Sequence, residues 1–395
     1  MFKNYFNIAL RNLARNKIYA FINIAGLSIG LACAMLIILY VKDEVSYDRF
    51  HNNVGGIYRV VREEVNTTSR QNQKDGNTGY FQGPQFTAGV PGIQAFVRVQ
   101  SRYHDIKKGT DVTSQELLYV DSNFFDVFSF PLASGSPKTC LSNPYSVVLS
   151  EDAAEKHFGT TDAIGKTILL KADTAFALYT VTAVAKKVPQ NSSIKFDVLL
   201  PLSVPQSELQ NGETWFNFFL NTFVVLKPNA SIKAVEAQMG KVYEAESGDA
   251  LKRLKEKFGP IEWKSKYMLQ PFTAMHLSKD LPAQNGLTGA SNPVYSYILS
   301  GIALFILLIA CINFVNLTIA RSVRRAKEIG IRKVVGGERK QLLFQFLGES
   351  FLLCFMAFAF ALLLAQAVLP VFNNLSNKAL SIAYLLDAKL IAGYI

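Results

Sequence analysis

The stretch VYSYILSGIALFILLIACINFVNLTIA, residues 294–320, decides the fold because it contains no Asp, Glu, Lys or Arg. A helix needs about 20 apolar residues to cross the hydrocarbon core of a bilayer, and this run is long enough. Residues 19–41 and 350–372 form two further runs of the same kind. Directly after residue 320 comes RSVRRAKEIGIRKVVGG, residues 321–337, which is densely charged. We therefore predict three complete transmembrane helices, with a short charged loop between the second and the third.

The two ends of the chain extend this pattern. Residues 1–18 place Phe2 and Phe6 on one helical face, which is typical both of a helix lying along the membrane surface and of an extension of the first span. The run 19–41 is too long for the apolar core of a signal peptide. Residues 388–395 resemble the opening of a fourth span, so we expect the chain to be a fragment of a longer protein.

The distribution of charge predicts the orientation of the helices. The formal net charge is +11, yet residues 42–292 hold 27 of the 41 basic and 26 of the 30 acidic residues. The basic excess is concentrated in residues 1–41 and in the loop 321–349, and such an excess marks the cytoplasmic side of a membrane. We predict that the N-terminus and this loop are cytoplasmic, and that residues 42–292 and 373–387 are extracytoplasmic. Because topology explains the positive charge, a nucleic-acid partner is not indicated.

The large region 42–292 has the pattern of an α+β domain. The segments that alternate as strands do are IYRVVREEV (57–65), SVVLS (146–150), KTILLK (166–171), YTVTAVAKKV (179–188) and FVVLKP (223–228). Two helices are predicted after Ser150 and Ser231, both in the N-cap position. Residues Asn66 to Gly83 are rich in Asn, Gln, Thr and Gly, which predicts a loose surface loop.

Motifs that would indicate a catalytic, metal or cofactor site are missing from the sequence pattern. FGTTDAIGKT resembles a phosphate-binding loop, but five residues rather than four separate Gly159 from Gly165, so a turn before a strand is favoured. None of the four histidines has a second histidine at helical metal-site spacing. Cys140 alone lies in this region and is predicted to be a small buried apolar residue. We therefore expect no enzyme, no metal and no cofactor.

The charged loop carries more than a topology signal needs. Ile329, Gly330, Ile331, Val334 and Val335 place apolar side chains and one small residue at the end of a charged helical stretch. An apolar patch of this kind on a loop predicts a docking element for a cytoplasmic protein.

Several motifs together resemble the MacB/FtsX-type ABC-transporter permeases. Around the loop these are ACINFVNL (310–317), RAKEIGIRKVVG (325–336) and QFLGES (345–350). Further motifs are NIALRNLARNKIYAFINIAGLSIGLA (7–32), YVDSNFFDVFSFPLASGSP (119–137) and SVVLSEDAAEKHFGTTDAIGKTI (146–168). The resemblance covers nearly the whole chain.

The resemblance implies a non-catalytic permease subunit of a bacterial inner membrane. A separate cytoplasmic ABC ATPase would bind the coupling loop, and the spans would act as stiff levers that move a two-lobed periplasmic core domain, for efflux or substrate release. The coupling residues implied are Arg325, Glu328, Ile329, Gly330, Ile331, Arg332, Lys333, Gly336 and Gly337. Further partners would be a second permease copy or a second half of the same longer chain, a periplasmic adaptor and membrane lipid.

With the resemblance included, the chain is expected to divide into eight segments. They are the cytoplasmic amphipathic helix 1–18, transmembrane helix 1 at 19–41, the extracytoplasmic domain 42–292 with an inserted lobe at about 102–188, transmembrane helix 2 at 293–320, the coupling loop 321–349, transmembrane helix 3 at 350–372, the extracytoplasmic loop 373–387 and the start of transmembrane helix 4 at 388–395.

Other classes of protein share parts of this pattern. A membrane-anchored sensor or receptor also has a span, an outer domain and a second span, but it would continue into a long cytoplasmic signalling helix. A cell-division-type regulator of envelope hydrolases would use the same architecture as the transporter. A membrane-anchored hydrolase would need a catalytic constellation that local motifs do not reveal.

Overall fold

The structure is a computed structural model, which describes residues 11, 15–66, 69, 71–171, 175–260, 263–281, 283–324, 330–331, 334 and 339–383. Its α-helices are α1 Lys17–Val45, α2 Gln82–Gly89, α3 Phe124–Val127, α4 Glu151–Phe158, α5 Gln206–Gln210, α6 Ile232–Phe258, α7 Pro293–Arg324 and α8 Arg339–Ser376. Internal contacts divide the chain into a membrane unit, residues 1–45 and 293–395, and an inserted domain, residues 46–292.

Among the described residues of the membrane unit, three helices are long and apolar enough to cross a bilayer. These are α1, α7 over Pro293–Val323 and α8 over Leu343–Ser376. The helices α1 and α8 extend beyond both ends of their predicted spans, because helical backbone hydrogen bonding continues past the apolar run. The predicted surface helix 1–18 lies largely outside the described residues, and the start of a fourth span, 388–395, lies wholly outside them.

The helix α1 packs against α7 through small residues. A Cβ atom placed on Gly30 would lie 2.7 Å from the Cβ of Ala310, and one on Gly26 would lie 3.4 Å from Asn313 Nδ2. Gly26 and Gly30 are one helical turn apart and therefore share a face. This spacing allows the two backbones to approach closely, which is a common way of joining helices in lipid.

The helix α1 also packs against α8, again through small residues. Ala357, Ala361 and Ala365 recur every four residues on α8 and are fully buried. Ser28 of α1 donates a hydrogen bond from Oγ to the carbonyl oxygen of Ala357 at 2.9 Å. Farther along, Ala361 and Ala365 pack against an apolar stretch of α1 that includes Leu36. The helix α1 is therefore the common partner of α7 and α8.

The inserted domain is built on an eleven-stranded mixed sheet within the described residues. The strands are β1 Ile57–Asn66, β2 Asn72–Asp75, β3 Ile93–Lys108, β4 Asp111–Val120, β5 Leu132–Ser134, β6 Ser146–Ser150, β7 Thr167–Lys171, β8 Phe176–Ala185, β9 Val198–Pro201, β10 Asn221–Leu226 and β11 Trp263–Pro271. Their order is β11-β1-β10-β3-β4-β9-β6-β8-β5, with β2 beside β1 and β7 beside β3 and β8. The pairs β4–β9 and β6–β8 are parallel, and the other pairs are antiparallel.

The predicted strands and helices of this domain are confirmed. β1, β6, β7, β8 and β10 overlap the five alternating segments, and α4 and α6 follow the two serines. Ser150 Oγ accepts a hydrogen bond from the backbone N–H of Ala153 at 3.0 Å, so it is a true N-cap. Ser231 holds the N-cap position without a side-chain capping bond. It is exposed, so water can satisfy the first-turn N–H groups.

Two smaller expectations are also confirmed. Gly159 ends α4 in the left-handed conformation and Gly165 has a φ of +80°, so the segment between them is a turn that leads into β7 at Thr167. Cys140 is 1% exposed within an apolar cluster. Burial raises the pKa of its thiol to about 11, as expected of an unreactive structural cysteine.

The expectation of a loose loop from Asn66 to Gly83 is wrong. Residues 72–75 form β2, and residues 76–83 are buried. The backbone N–H of Thr78 donates to the carbonyl oxygen of Leu220 at 2.7 Å, and Gln82 Nε2 lies 3.1 Å from both the Trp215 carbonyl oxygen and the Tyr267 hydroxyl. A polar composition misled the prediction, because polar side chains can be buried when their hydrogen bonds are satisfied.

The close contact at Gly30 gives a testable consequence. In Gly30→Leu the new side chain has no space against Ala310, so we expect α1 and α7 to separate and the detergent-solubilised chain to unfold at a lower temperature, with an overpacking cost of about 1–3 kcal/mol or more. The matched control is Gly301→Leu on α7, where a Cβ meets nothing within 4 Å. Equal thermal stability of the two variants would contradict the packing described.

Candidate functional site

Most of the predicted coupling residues lie outside the described part of the chain. These are Arg325, Glu328, Ile329, Arg332, Lys333, Gly336 and Gly337. Gly330 and Ile331 are described and are helical, as is Val334. The side chains of Ile331 and Val334 are 65% and 88% exposed, and a Cβ on Gly330 would meet nothing within 4 Å. The described residues of the loop therefore present an apolar, open helical surface.

Where the loop leaves α7, that helix is tied to the beginning of α1. The hydroxyls of Tyr19 and Thr318 are 3.1 Å apart, at hydrogen-bonding distance. The guanidinium carbon of Arg321 lies 4.6 Å from the centre of the Tyr19 ring, in a cation–π arrangement. A shift of this end of α7 would therefore act directly on α1.

A small cavity of about 120 Å³ adjoins this tie. The first turns of α8 contribute Phe346, Glu349 and Ser350 to its lining, and α7 contributes Arg321 and Ser322. Glu349 is only 5% exposed. The QFLGES motif therefore lies at the point where all three helices approach the loop. The structure shows that its acidic residue, Glu349, is buried there, which the sequence alone did not predict.

At the other end of α1, a group of charges joins α1 to α8. Lys378 Nζ donates to Glu44 Oε1 at 2.6 Å and also to Asp43 Oδ2, and it lies 4.7 Å from the centre of the Tyr40 ring. The side chains of Lys378, Asp43 and Glu44 are 11%, 6% and 3% exposed. Burial alone would lower the pKa of Lys378, but the bonds to the two carboxylates outweigh burial and raise it. Lys378 therefore stays charged at neutral pH.

Sequence reasoning missed this ionic group. In the sequence, Asp43 and Glu44 stand just after the first span, and Lys378 stands within the segment 373–387. These residues are more than three hundred positions apart in the chain. The available signal was that charged residues follow both spans, Asp43 and Glu44 within three residues of the first and Lys378 six residues after the third, and that opposite charges attract each other.

The inserted domain has its own buried titratable groups near its first residues. Asp48 accepts a hydrogen bond from the backbone N–H of Ser193 at 2.7 Å, and burial raises its pKa to about 6. His51 Nδ1 accepts one from the backbone N–H of Ser129 at 3.0 Å, and burial lowers the pKa of His51 to about 4. Each group holds neighbouring backbone in place, which is a structural role.

The ionic group at Lys378 can be tested by charge removal. Lys378→Met leaves two buried carboxylates without this cation, so we expect a loss of stability of about 3–5 kcal/mol. The loss should be seen as faster proteolytic cleavage of the membrane-embedded protein at sites between α1 and α8. The triple variant Asp43→Asn, Glu44→Gln, Lys378→Met removes every charge of the group and is expected to recover most of that loss. The role is refuted if Lys378→Met resists proteolysis like the wild type.

Comparison with known proteins places these features in a family. Residues 20–242 match the MacB-like periplasmic core domain, and residues 300–395 match the FtsX-like permease C-terminal domain. The chain is 26% identical over 270 residues to the macrolide export ATP-binding/permease protein MacB of Neisseria gonorrhoeae, an alignment that covers 68% of this chain and 37% of that protein. The chain therefore spans well under half the length of that relative.

Two solved structures resemble the chain. A domain of a putative permease protein from Porphyromonas gingivalis has a TM-score of 0.47 at 18% identity, covering 63% of this chain and 98% of that one. The periplasmic region of MacB from Actinobacillus actinomycetemcomitans has a TM-score of 0.35 at 17% identity, covering 52% and 96%. The two sequence matches account for both the inserted domain and the helices around the loop, and by them the chain belongs to the MacB/FtsX family of ABC-transporter permeases.

Proposed function

We propose that the chain is a non-catalytic permease subunit of the mechanotransmission type. A separate cytoplasmic ABC ATPase would drive movements of the inserted domain outside the inner membrane, for efflux or release of a substrate. Family membership supports the permease role. The observation that carries the coupling role is the exposed helical segment at Gly330 and Ile331, which follows closely on the tie between Arg321 and Tyr19.

The contacts at the two ends of α1 support the proposed orientation. Tyr19, at the beginning of α1, contacts Thr318, near the end of α7, so these helices run in opposite directions. Glu44, at the end of α1, contacts Lys378, just after the end of α8, so those two helices run in the same direction. Three spans in one chain must alternate in this way. Together with the basic N-terminus and loop, this supports a cytoplasmic loop and an extracytoplasmic inserted domain.

The connections of the chain support the proposed transmission of movement. The inserted domain begins at Ser46, directly after α1, and ends at Asn292, directly before α7. A displacement of the loop would act on α7 and, through Tyr19 and Arg321, on α1. Because a helix is stiff along its axis, both connections to the inserted domain would then move, without any substrate path through the membrane unit.

The loop would dock into a groove of the ATPase. Ile331 and Val334 supply exposed apolar side chains, and Gly330 lets the partner approach the backbone. The family resemblance adds the remaining residues of the coupling site to the proposal: Arg325, Glu328, Ile329, Arg332, Lys333, Gly336 and Gly337.

Two lobes are proposed for the inserted domain, one of them within residues 102–188. An apolar cluster that includes Ile106, Leu117, Ile168 and Val181, and that extends to Val198 and Leu200 beyond this range, supports a separate core for that lobe. A second permease copy, or a second half of a longer chain, would complete the membrane assembly, while lipid and a periplasmic adaptor are further proposed partners.

The coupling role can be tested at Gly330. Because a Cβ there meets nothing within 4 Å, Gly330→Trp should leave folding and membrane insertion unchanged. The new ring would hold the partner away, so we expect loss of the ABC ATPase that co-purifies with the wild-type chain. The matched control is Gly240→Trp, also helical and also open, in the inserted domain.

The result that would contradict the proposal is normal ATPase association by Gly330→Trp at wild-type abundance. The loop would then be only a charged turn. Loss of association by Gly240→Trp as well would show that the assay reports general damage, and a smaller change, Gly330→Leu, would then replace the tryptophan.

A further inference from the structure

An open cavity of about 790 Å³ lies in the inserted domain, away from the coupling loop in the sequence. Its wall combines residues from β1, β2 and β3 with the segment that follows β9. Cavities of roughly 300–1,000 Å³ are the usual size of small-molecule sites. The lining mixes aromatic rings with charged groups, so the charges and their partners decide what the cavity can hold.

One arginine of the lining is fixed in the wall. Arg62 is 5% exposed and donates to Glu64 Oε1 and, at 3.4 Å, to Asp75 Oδ2. Its guanidinium carbon lies 3.6 Å from the centre of the Phe218 ring. Its Nε is buried and has no hydrogen-bond partner among the described residues. Two carboxylates face this one cation and leave the three groups with a net charge of −1, so Arg62 shapes the wall and orients Phe218 but offers no free positive charge to a ligand.

A second arginine is available to a ligand. Arg102 is exposed and lines the same cavity. The Gln100 amide is oriented with its oxygen toward Arg102. In this orientation the oxygen accepts hydrogen bonds from Nε and Nη2 of Arg102 at 3.0 Å each. Across the part of the chain that the structure describes, no carboxylate forms an ion pair with Arg102. Gln100 therefore fixes the direction of the guanidinium without cancelling its charge.

Aromatic side chains form another part of the wall. Phe216, Phe218 and Phe219 are half-buried, and the Phe219 ring meets that of Tyr80 edge-to-face at 4.7 Å. Partly exposed rings beside a positioned guanidinium favour a ligand with an apolar body and an anionic group.

The charge of Glu208 limits that ligand. Its carboxylate lines the cavity and accepts a hydrogen bond from the Thr214 hydroxyl at 2.8 Å. Glu208 would repel a polyanion such as a nucleic acid or a polyphosphate. A ligand with a single carboxylate directed at Arg102 can be accommodated while Glu208 is present.

We propose that this cavity binds a small organic carboxylate with an aromatic or branched apolar group. Arg102 holds the carboxylate through its planar pair of N–H donors, and the phenylalanine rings cover the apolar group. This binding needs no ATPase, so its test is independent of the coupling proposal.

The test uses the full chain in lipid nanodiscs and ligand-observed ¹⁹F NMR. The probe is N-acetyl-4-fluorophenylalanine, compared with its C-terminal amide, in which a neutral NH2 group replaces the charged oxygen. Wild-type chain is expected to bind the acid roughly tenfold more tightly than the amide, since the bond to a charged group is lost. N-acetylalanine should fail to displace the probe, because it lacks the ring.

Two variants and one control assign the effect. Arg102→Gln is expected to bind acid and amide equally, and Glu208→Gln is expected to bind the acid severalfold better. Arg253→Gln removes an exposed charge of the same kind outside the cavity lining and should change nothing. The proposal is overturned if the probe does not bind, if Arg102→Gln keeps the preference for the acid, or if Arg253→Gln abolishes it.

Discussion

The structure depends first on the close packing of α1 between α7 and α8. In lipid, helices gain nothing from excluding water, so they associate through tight contact and a few hydrogen bonds. Gly26 and Gly30 on one side of α1, and Ser28 toward the alanines of α8, provide this contact. Because the inserted domain begins and ends at α1 and α7, the same packing sets how far apart its two connections lie.

Polar contacts at both ends of α1 determine which helix ends lie together in this packed core. Tyr19, Thr318 and Arg321 hold one end of α1 to α7, and Lys378 holds the other end to α8 through two carboxylates. Charged groups are costly within the hydrocarbon, so ends are where such ties can form. An apolar middle with polar ends lets the helices shift as stiff bodies while their ends stay attached, which suits the proposed transmission of movement.

The sequence predicted those features that depend on local pattern. Apolar length located the three long helices, alternation located strands such as β6 and β10, and Ser150 marked a real helix start. Features that depend on distant partners were not predictable in this way. Gln82 is buried because Trp215 and Tyr267 meet it, and Lys378 is buried because it meets Glu44. Composition near Gln82 therefore pointed to a loop, and the charges that follow the two spans did not by themselves show that Lys378 meets Glu44. For the coupling residues, the sequence predicted the apolar pattern. Only the structure shows that the side chain of Ile331 is exposed.

The central claim is that the coupling loop and the inserted domain face opposite sides of the membrane. Cysteine accessibility tests it most directly, in a background in which the four native cysteines are replaced. Ile331→Cys reports on the loop and Leu209→Cys on the inserted domain, since these side chains are 65% and 48% exposed. With a membrane-impermeant maleimide added to intact spheroplasts, the account predicts labelling at position 209 and none at 331 until the membrane is opened. Labelling of both positions in intact spheroplasts, or of 331 alone, would contradict it.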